Sequence, residues 1–197
     1  MSSPSKAKMS GTVYIVDDEP SFAMSLANAL QIVGFDVECY ASVKDFLAAD
    51  LAESAVILCD MRMPNLSGLD LQAALKQRAI RIPIIFVSGE TTVNQAVEAM
   101  KGGAKDFLSK PFEPSKLIRL IGTTLREHEQ KQSSREALKA LSQREQEAFA
   151  YIVEGFGNPY IAEKMDIKVS TLKEYKTNIF KKLGVSNVSQ LIERYKD

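Results

Sequence analysis

Five short apolar runs alternate with longer amphipathic segments between residues 13 and 126. The runs have the length of buried strands and occupy residues 13–16, 37–40, 55–59, 84–87 and 105–108. The segments between them place apolar residues at helical spacing, as in Phe22, Leu26 and Ala29. Strands that alternate with helices favour a parallel sheet. The pattern therefore predicts an α/β fold, a doubly wound five-stranded parallel sheet with helices on both faces.

The pattern changes after residue 127. Residues 128–138 are almost entirely polar, which predicts a linker, either irregular or as an extension of the preceding helix. His128, the single histidine of the chain, is interpreted as an exposed linker residue rather than a catalyst. Only helical periodicity follows. We therefore predict a disordered N-terminus over residues 1–10, a first domain over 11–127 and a small all-α domain over 139–197.

Two helix starts are marked in this second domain. Ser142 and Glu145 have the spacing of a capping box, and Asn158 followed by Pro159 predicts an N-cap and a first helical residue. The helix that begins there ends near residue 165, and residues 166–169 connect it to a helix that runs to about residue 183. Two helices joined by so short a turn indicate a helix-turn-helix.

Composition narrows the class of protein. With 45% hydrophobic and 25% charged residues the chain resembles globular proteins. Its formal net charge of zero does not identify the kind of partner that it binds. No apolar run approaches the roughly 20 residues that span a bilayer, and the first residues lack the apolar segment of a signal peptide. We expect a cytoplasmic protein that does not bind membranes. Cys39 and Cys59 lie in predicted strands and are interpreted as reduced core residues.

Charged and polar residues follow the predicted strands at the edge where parallel α/β sheets bind ligands. They are Asp17, Asp18, Asp60, Ser88 and Lys110. Neighbouring carboxylates repel one another unless a cation compensates them, and oxygen ligands suit Mg²⁺. A lysine and a hydroxyl beside these acids favour contacts with phosphoryl oxygens. This edge therefore predicts a site that receives a phosphoryl group with the help of Mg²⁺.

Residues 10–127 resemble the receiver domain of bacterial two-component response regulators, which has a flavodoxin-like fold. The resemblance rests on Asp17 and Asp18, on residues 60–64 (DMRMP) with Gly68, on residues 88–89 (SG) and on residues 110–112 (KPF). It implies that Asp60 accepts a phosphoryl group from a phosphohistidine of a sensor histidine kinase. Asp18, Asp60 and the backbone carbonyl of Arg62 would bind Mg²⁺ directly, and Asp17 would bind it through water.

The same resemblance gives three further residues a role. Lys110 would pair with Asp60 or its phosphate, and its bond to Pro111 would be cis, a geometry that proline permits. Ser88 and Phe107 would be switch residues that move when Asp60 is phosphorylated. Because Phe107 lies in an apolar run, simple core packing is the alternative interpretation.

Arg62 and Glu90 each follow a predicted site residue by two positions and carry opposite charges. We hypothesise that they pair over the site and limit the access of water to the phosphoryl group.

Residues 139–195 resemble the LuxR-type helix-turn-helix, through residues 141–145 (LSQRE), 171–173 (TLK) and 181–185 (KKLGV). One face of the second helix of the motif should pack inward, and it holds Leu172, Tyr175, Ile179 and Leu183. The opposite face holds candidate readers of base edges, Lys173, Glu174 and Thr177, and candidate phosphate contacts, Ser170, Lys181 and Lys182. Five lysines and one acid between residues 168 and 182 suit a polyanion, although a solvated helix is the alternative.

Three positions depart from the LuxR-type pattern and leave sequence specificity open. Lys168 replaces a capping serine, so the helix could begin nearer Ser170; Tyr175 replaces a frequent histidine; and Pro159 replaces a basic or polar residue.

The two resemblances together predict a response regulator of the NarL/FixJ family. Phosphorylation of Asp60 would shift the receiver between two conformations, promote a homodimer and place two recognition helices on double-stranded DNA. Such a protein transfers a phosphoryl group to itself without turnover, so we do not expect an enzyme. The alternative is a phosphorylation-gated interaction module whose helical domain does not bind DNA. A Mg²⁺-dependent phosphatase would need a further acid-base residue, and none is apparent.

Overall fold

A computed structural model of the chain describes residues 11–89 and 92–195. The chain divides into two compact units, with the boundary between Glu129 and Gln130. The predicted disorder of residues 1–10 and the hypothetical partner Glu90 lie outside the described residues. Within those residues, no helix is both long and apolar enough to cross a membrane.

The first unit contains a five-stranded parallel sheet in the order β2-β1-β3-β4-β5. The strands are β1 Thr12–Val16, β2 Asp36–Tyr40, β3 Ala55–Asp60, β4 Ile84–Ser88 and β5 Asp106–Ser109. Each predicted apolar run overlaps one strand, so the predicted fold class is confirmed. In register, Val16 lies beside Cys59, and Asp60 lies beside Val87. The strands therefore end together and bring their last residues to one edge.

Five helices connect or follow these strands. They are α1 Pro20–Ile32, α2 Val43–Leu47, α3 Gly68–Gln77, α4 Val93–Lys101 and α5 Pro114–Lys139. Capping boxes begin two of them, Ser67 with Asp70 at α3 and Thr92 with Gln95 at α4. These reciprocal bonds satisfy backbone donors that the first helical turn leaves without partners.

Two hydrophobic cores cover the two faces of the sheet, because successive strand residues point to opposite sides. Ile15 and Leu58 belong to the core that α1 and α5 cover. Their neighbours Tyr14 and Ile57 belong to the core that α2 and α3 cover. Every residue of β3 is buried, as expected for a central parallel strand.

Helix α5 continues through the segment that was predicted as a linker, and it is 26 residues long. His128 is half-buried in this helix, and its Nε2 atom lies 3.0 Å from the carbonyl oxygen of Glu53. The next residue, Glu129, accepts a hydrogen bond of 2.6 Å from the Ser54 hydroxyl. His128 is therefore half-buried and not fully exposed as expected, because it contacts Glu53. Its interpretation as a residue that is not a catalyst stays a prediction. The predicted linker bounds stay a prediction.

The second unit contains the end of α5 and four helices, α6 Gln143–Val153, α7 Asn158–Lys164, α8 Val169–Leu183 and α9 Val188–Tyr195. Its own core includes Ile161, Leu172 and Ile179. Helices α7 and α8, joined by a short turn, form the predicted helix-turn-helix. Gly184 ends α8 in the left-handed conformation, at φ 63°, which glycine adopts without steric cost.

The helix starts of this unit confirm one expectation and correct two. The capping box of Ser142 and Glu145 is present. Gly157, not Asn158, is the N-cap of α7, and the Asn158 side chain instead accepts a hydrogen bond of 3.0 Å from Lys176 Nζ. Lys168 is the N-cap of α8 without a side-chain bond, so the missing serine does not move the helix start.

The two cysteines differ in environment. Cys59 is buried as predicted, whereas Cys39 is exposed. The prediction that Cys39 is a core residue was wrong, because β2 is an edge strand in which every residue is exposed or half-buried.

Candidate functional site

The ammonium of Lys110 joins two carboxylates at the carboxyl edge of the sheet. Its Nζ atom lies 2.9 Å from Asp17 Oδ2 and 3.1 Å from Asp60 Oδ1. Asp17 follows β1, Asp60 ends β3, and Lys110 follows β5. The two acids are buried, and the Lys110 side chain is 20% exposed. The structure thus brings these three predicted residues together.

Backbone amides hold the remaining carboxylate oxygens. Asp17 Oδ1 accepts a hydrogen bond of 2.9 Å from the Glu19 N–H, just before α1 begins. Asp60 Oδ2 accepts one of 2.6 Å from the Arg62 N–H. Because each carboxylate is held at both oxygens, its orientation is fixed before any ligand binds.

At this site, burial and the charged or hydrogen-bonded partners shift each pKa in opposite directions. Burial raises the pKa of Asp60, and hydrogen bonds from the Arg62 N–H and from Lys110 offset this only in part. Burial acts to lower the pKa of Lys110, but its hydrogen bonds with Asp17 and Asp60 outweigh that effect and raise it. Lys110 therefore stays charged at neutral pH and compensates the two acids.

The other predicted residues differ in burial and in their contacts. Ser88 is buried at the end of β4, and its carbonyl oxygen accepts a hydrogen bond of 2.8 Å from the Lys110 N–H. The Lys110–Pro111 peptide bond is cis, as the resemblance implies. Phe107 lies beside Phe86 in the sheet and is half-buried against the core. Asp18, in contrast, is exposed.

The carboxylates at this edge suit a hard cation that takes only some of its ligands from the protein. Among the described residues, no group of three or more His, Cys, Asp or Glu side chains could hold a metal ion as arranged. Two carboxylates converge on one lysine, and a third, Asp18, is adjacent in the chain. Mg²⁺ commonly uses one or two carboxylates together with waters and phosphate oxygens. The donor chemistry therefore fits Mg²⁺.

An aromatic residue that sequence reasoning did not assign to the site lies against Lys110, and a second one packs against the first. Its Nζ atom is 3.7 Å from the centroid of the Phe22 ring. Phe112 meets the Phe22 ring edge to face, with centroids 6.3 Å apart. The helical spacing of Phe22 indicated only a core-facing residue, and no local signal places its ring beside a lysine far along the chain.

The second unit presents one face of α8 to solvent. Leu172, Ile179 and Leu183 are buried, as predicted, and Tyr175 is half-buried against the same core. The residues predicted to contact DNA are all exposed, namely Ser170, Lys173, Glu174, Thr177, Lys181 and Lys182. Asn178 is exposed too and follows Glu174 by one helical turn, although sequence reasoning did not select it.

Two of these side chains have partners within the unit. Lys182 Nζ lies 2.6 Å from the carboxylate oxygen Oε2 of Glu145, and Glu145 is buried. This gives Lys182 a structural role, and its contact with a DNA phosphate stays a prediction. The Thr177 hydroxyl donates a hydrogen bond of 3.0 Å to the Lys173 carbonyl oxygen, which leaves its methyl group and its acceptor capacity for a ligand.

A five-stranded parallel sheet with an acid-lysine edge, followed by a helix-turn-helix unit, defines the class of response regulators with a DNA-binding output domain. Residues 13–122 match the family described as "Response regulator receiver domain". Residues 139–195 match the family "Bacterial regulatory proteins, luxR family". The chain belongs to the response regulators that combine a receiver domain with a LuxR-type DNA-binding domain. The alternative of a helical domain that does not bind DNA is not favoured.

Relatives match along nearly the whole chain. The response regulator protein TodT of Pseudomonas putida is 36% identical over 197 residues, which cover 94% of this chain and 86% of TodT. The transcriptional regulatory protein FixJ of Rhizobium meliloti is 36% identical over 190 residues, which cover 92% of this chain and 93% of FixJ. These similarities confirm the resemblance to the NarL/FixJ family.

Solved structures agree with this assignment. The response regulator StyR has a TM-score of 0.60 and 33% identity, with 93% of this chain and 96% of StyR covered. The isolated FixJ-N structure has a TM-score of 0.55 and 42% identity, with 59% of this chain and 94% of FixJ-N covered.

Proposed function

We propose that Asp60 is the phosphoacceptor of a cytoplasmic response regulator whose partner is a sensor histidine kinase. A carboxylate oxygen of Asp60 attacks phosphorus, the P–N bond to the kinase histidine breaks, and the imidazole leaves with the bonding electron pair. The observation that carries this assignment is the Lys110 ammonium shared between Asp17 and Asp60. That cation can neutralise charge on the phosphoryl oxygens. One transfer per chain is a regulatory event, so we propose a regulator and not an enzyme.

Mg²⁺ would be held by Asp18, Asp60 and the backbone carbonyl of Arg62, with Asp17 bound through water. The ion would neutralise phosphoryl charge when bound. The chain's own contribution is the fixed orientation of Asp17 and Asp60, whose oxygens already accept bonds from Glu19 and Arg62.

Ser88 and Phe107 are proposed to report phosphorylation to the surface. Ser88 is buried beside the site, and its carbonyl is bonded to the lysine that would meet the phosphate. Phe107 is only half-buried, so an inward movement would bury more of its ring. These positions support the switch assignment over simple core packing.

Helix α4 supplies the surface for a homodimer of the phosphorylated chain. Val93, Val97 and Met100 are 79%, 45% and 46% exposed and lie on one stripe of α4. Apolar side chains in such a stripe are typical of a protein interface. Sedimentation of the phosphorylated chain should show a dimer that Val97→Asp abolishes. Met24→Asp, at an exposed apolar position on α1, should leave the dimer intact.

Helix α8 is proposed to enter the major groove of double-stranded DNA. Lys173 suits guanine, Glu174 suits cytosine, and the Thr177 methyl suits the thymine methyl. Ser170, Lys181 and Lys182 would contact phosphates. We add Asn178, because an exposed asparagine can form two hydrogen bonds with adenine.

Phosphorylation is tested with phosphoramidate and Mg²⁺, followed by intact mass measurement. The wild-type chain should gain one phosphoryl group that hydroxylamine removes, because an acyl phosphate reacts with that nucleophile. Asp60→Asn should gain none. Asp70→Asn, a neutralised aspartate at an exposed helix start, should be labelled like wild type. Label on Asp60→Asn would contradict the assignment.

DNA binding is tested by selecting fragments from random DNA with the phosphorylated chain. Lys173→Ala and Asn178→Ala should each relax preference at one base pair of the site, by about 1–3 kcal/mol per lost bidentate contact. The control Lys164→Ala removes one positive charge, as Lys173→Ala does, but at an exposed position of α7. This variant should keep the base preference of the wild type. Unchanged preference in Lys173→Ala would refute the base-reading assignment.

A further inference from the structure

The Phe22 ring lies against the Lys110 ammonium, which the two acids also contact. An ammonium group has three N–H donors. Asp17 and Asp60 take two of them, at 2.9 and 3.1 Å. The ring face of Phe22 lies 3.7 Å away, well inside the range of a cation–π interaction.

The ring is itself held in place. Phe112 packs against it edge to face, with the two ring planes at 86°. Both rings are partly buried at the border of the core that contains Leu26 and Leu117. Because Phe112 follows Lys110 by two residues, one aromatic pair fixes α1 against the segment that carries the lysine.

We propose that Phe22 is a positioning residue for phosphoryl transfer. Its ring holds the Lys110 ammonium in the pocket but does not compete for the hydrogen bonds that the ammonium donates. The inference rests on the proposed role of Asp60 as phosphoacceptor. Phe22 acts through Lys110 and touches none of the reacting atoms.

An aromatic ring suits this role better than a polar side chain. A carboxylate or amide at position 22 would compete with phosphoryl oxygens for the lysine donors. The attraction of a cation to a ring face is weakly directional, so the ammonium can move from Asp17 toward the new phosphoryl group and remain over the ring. Asp17 is then free to meet the metal through water.

The experiment compares Phe22→Leu with Phe22→Tyr in the full chain. Leucine keeps an apolar side chain but has no ring face, whereas tyrosine keeps the ring. We expect Phe22→Leu to slow labelling by phosphoramidate and Mg²⁺ about three- to tenfold. Phe22→Tyr should be labelled at the rate of the wild type. Met24→Leu, on the exposed side of α1, should match wild type. A circular dichroism melt checks that all variants fold.

A second measurement reports the lysine directly and needs no phosphorylation. Protons on the Cε of Lys110 should resonate upfield in a carbon-correlated NMR spectrum, because the ring current of Phe22 shields them. The shift should vanish in Phe22→Leu and persist in Phe22→Tyr, which would show that the ring face contacts the lysine in solution.

The outcomes separate this inference from the proposed function. A wild-type chain that takes no label would overturn the proposed function and, with it, the role of Phe22 in transfer. A labelled wild type with an unchanged rate in Phe22→Leu would overturn the inference alone. Equal slowing in Phe22→Leu and Phe22→Tyr would also overturn it, because the ring face would then be irrelevant.

Discussion

Asp60 shows at the scale of one residue how the proposed phosphoacceptor opposes folding. Its carboxylate is buried, and burial raises its pKa despite the hydrogen bonds from Arg62 and Lys110. Asp70, nearby in the chain, has the opposite balance, because its hydrogen bonds with Ser67 lower its pKa. Two aspartates of one domain therefore contribute to stability with opposite signs.

Neutralising the two carboxyls should consequently change stability in opposite directions. A raised pKa means that the folded chain holds the Asp60 proton more tightly than the unfolded chain, so the charged form costs stability at neutral pH. Asp60→Asn should raise the midpoint of urea unfolding at pH 7, with a gain that shrinks as the pH falls through the ordinary range of a carboxyl. Asp17 remains to pair with Lys110.

Asp70→Asn is the matched control with the opposite sign. Its lowered pKa contributes stability at neutral pH that is lost as the pH falls through that lowered value. The variant should therefore have a lower urea midpoint than wild type at pH 7 and approach it in acid. A shift of the same sign in both variants would contradict the assignment.

At the scale of elements, Glu145 ties the first and last turns of two helices together. Its Oε2 atom accepts hydrogen bonds from the Ser142 N–H at 2.7 Å and from Lys182 Nζ at 2.6 Å. Ser142 precedes α6, and Lys182 lies in the last turn of α8. The hydrogen bond from Lys182 is the largest cause of the lowered pKa of Glu145. The pair holds the proposed recognition helix against its scaffold.

Removing the lysine should destabilise the second unit. Lys182→Met keeps an apolar stem but leaves the buried carboxylate without its cation, which should cost about 1–3 kcal/mol in the free energy of unfolding. The loss should shrink in acid, because protonated Glu145 no longer needs the cation. Urea unfolding followed by helical circular dichroism measures both.

Arg144→Met provides a control on the same helix. Arg144 pairs with Glu147 on the exposed surface, where ion pairs contribute little, so this variant should unfold like wild type. Equal effects of Lys182→Met and Arg144→Met would show that the Glu145 pair has no special role.

At the scale of the whole molecule, each compact unit has a core of its own residues. Two cores flank the sheet of the first unit, and a third fills the helical unit. Leu58 and Leu172 are fully buried representatives, with exposures of 1% and 0%. Multidomain chains commonly unfold in more than one step.

We therefore expect two calorimetric unfolding transitions that respond separately to core substitutions. Leu58→Ala should lower the stability of the first unit, and Leu172→Ala that of the second, each by about 2–5 kcal/mol. Differential scanning calorimetry of the full chain distinguishes the transitions. A single transition shifted equally by both variants would mean that the units unfold as one.

The sequence by itself determined the strands, the helix start at Ser142 and the chemical character of the site. Strand and helix periodicity and the Ser142 capping box are encoded within a few neighbouring residues, so local reasoning found them. The convergence of Asp17, Asp60 and Lys110 was predictable because parallel strands end at one edge.

Only the tertiary structure decided which side chains meet across long separations. Lys110 lies 93 residues after Asp17, and its contact with the Phe22 ring depends on the rotation of α1 over the sheet. Likewise, Glu145 and Lys182 are 37 residues apart, and His128 is only half-buried and not fully exposed because it contacts Glu53. Such contacts depend on how whole elements pack, and no pattern within a short stretch of sequence encodes them.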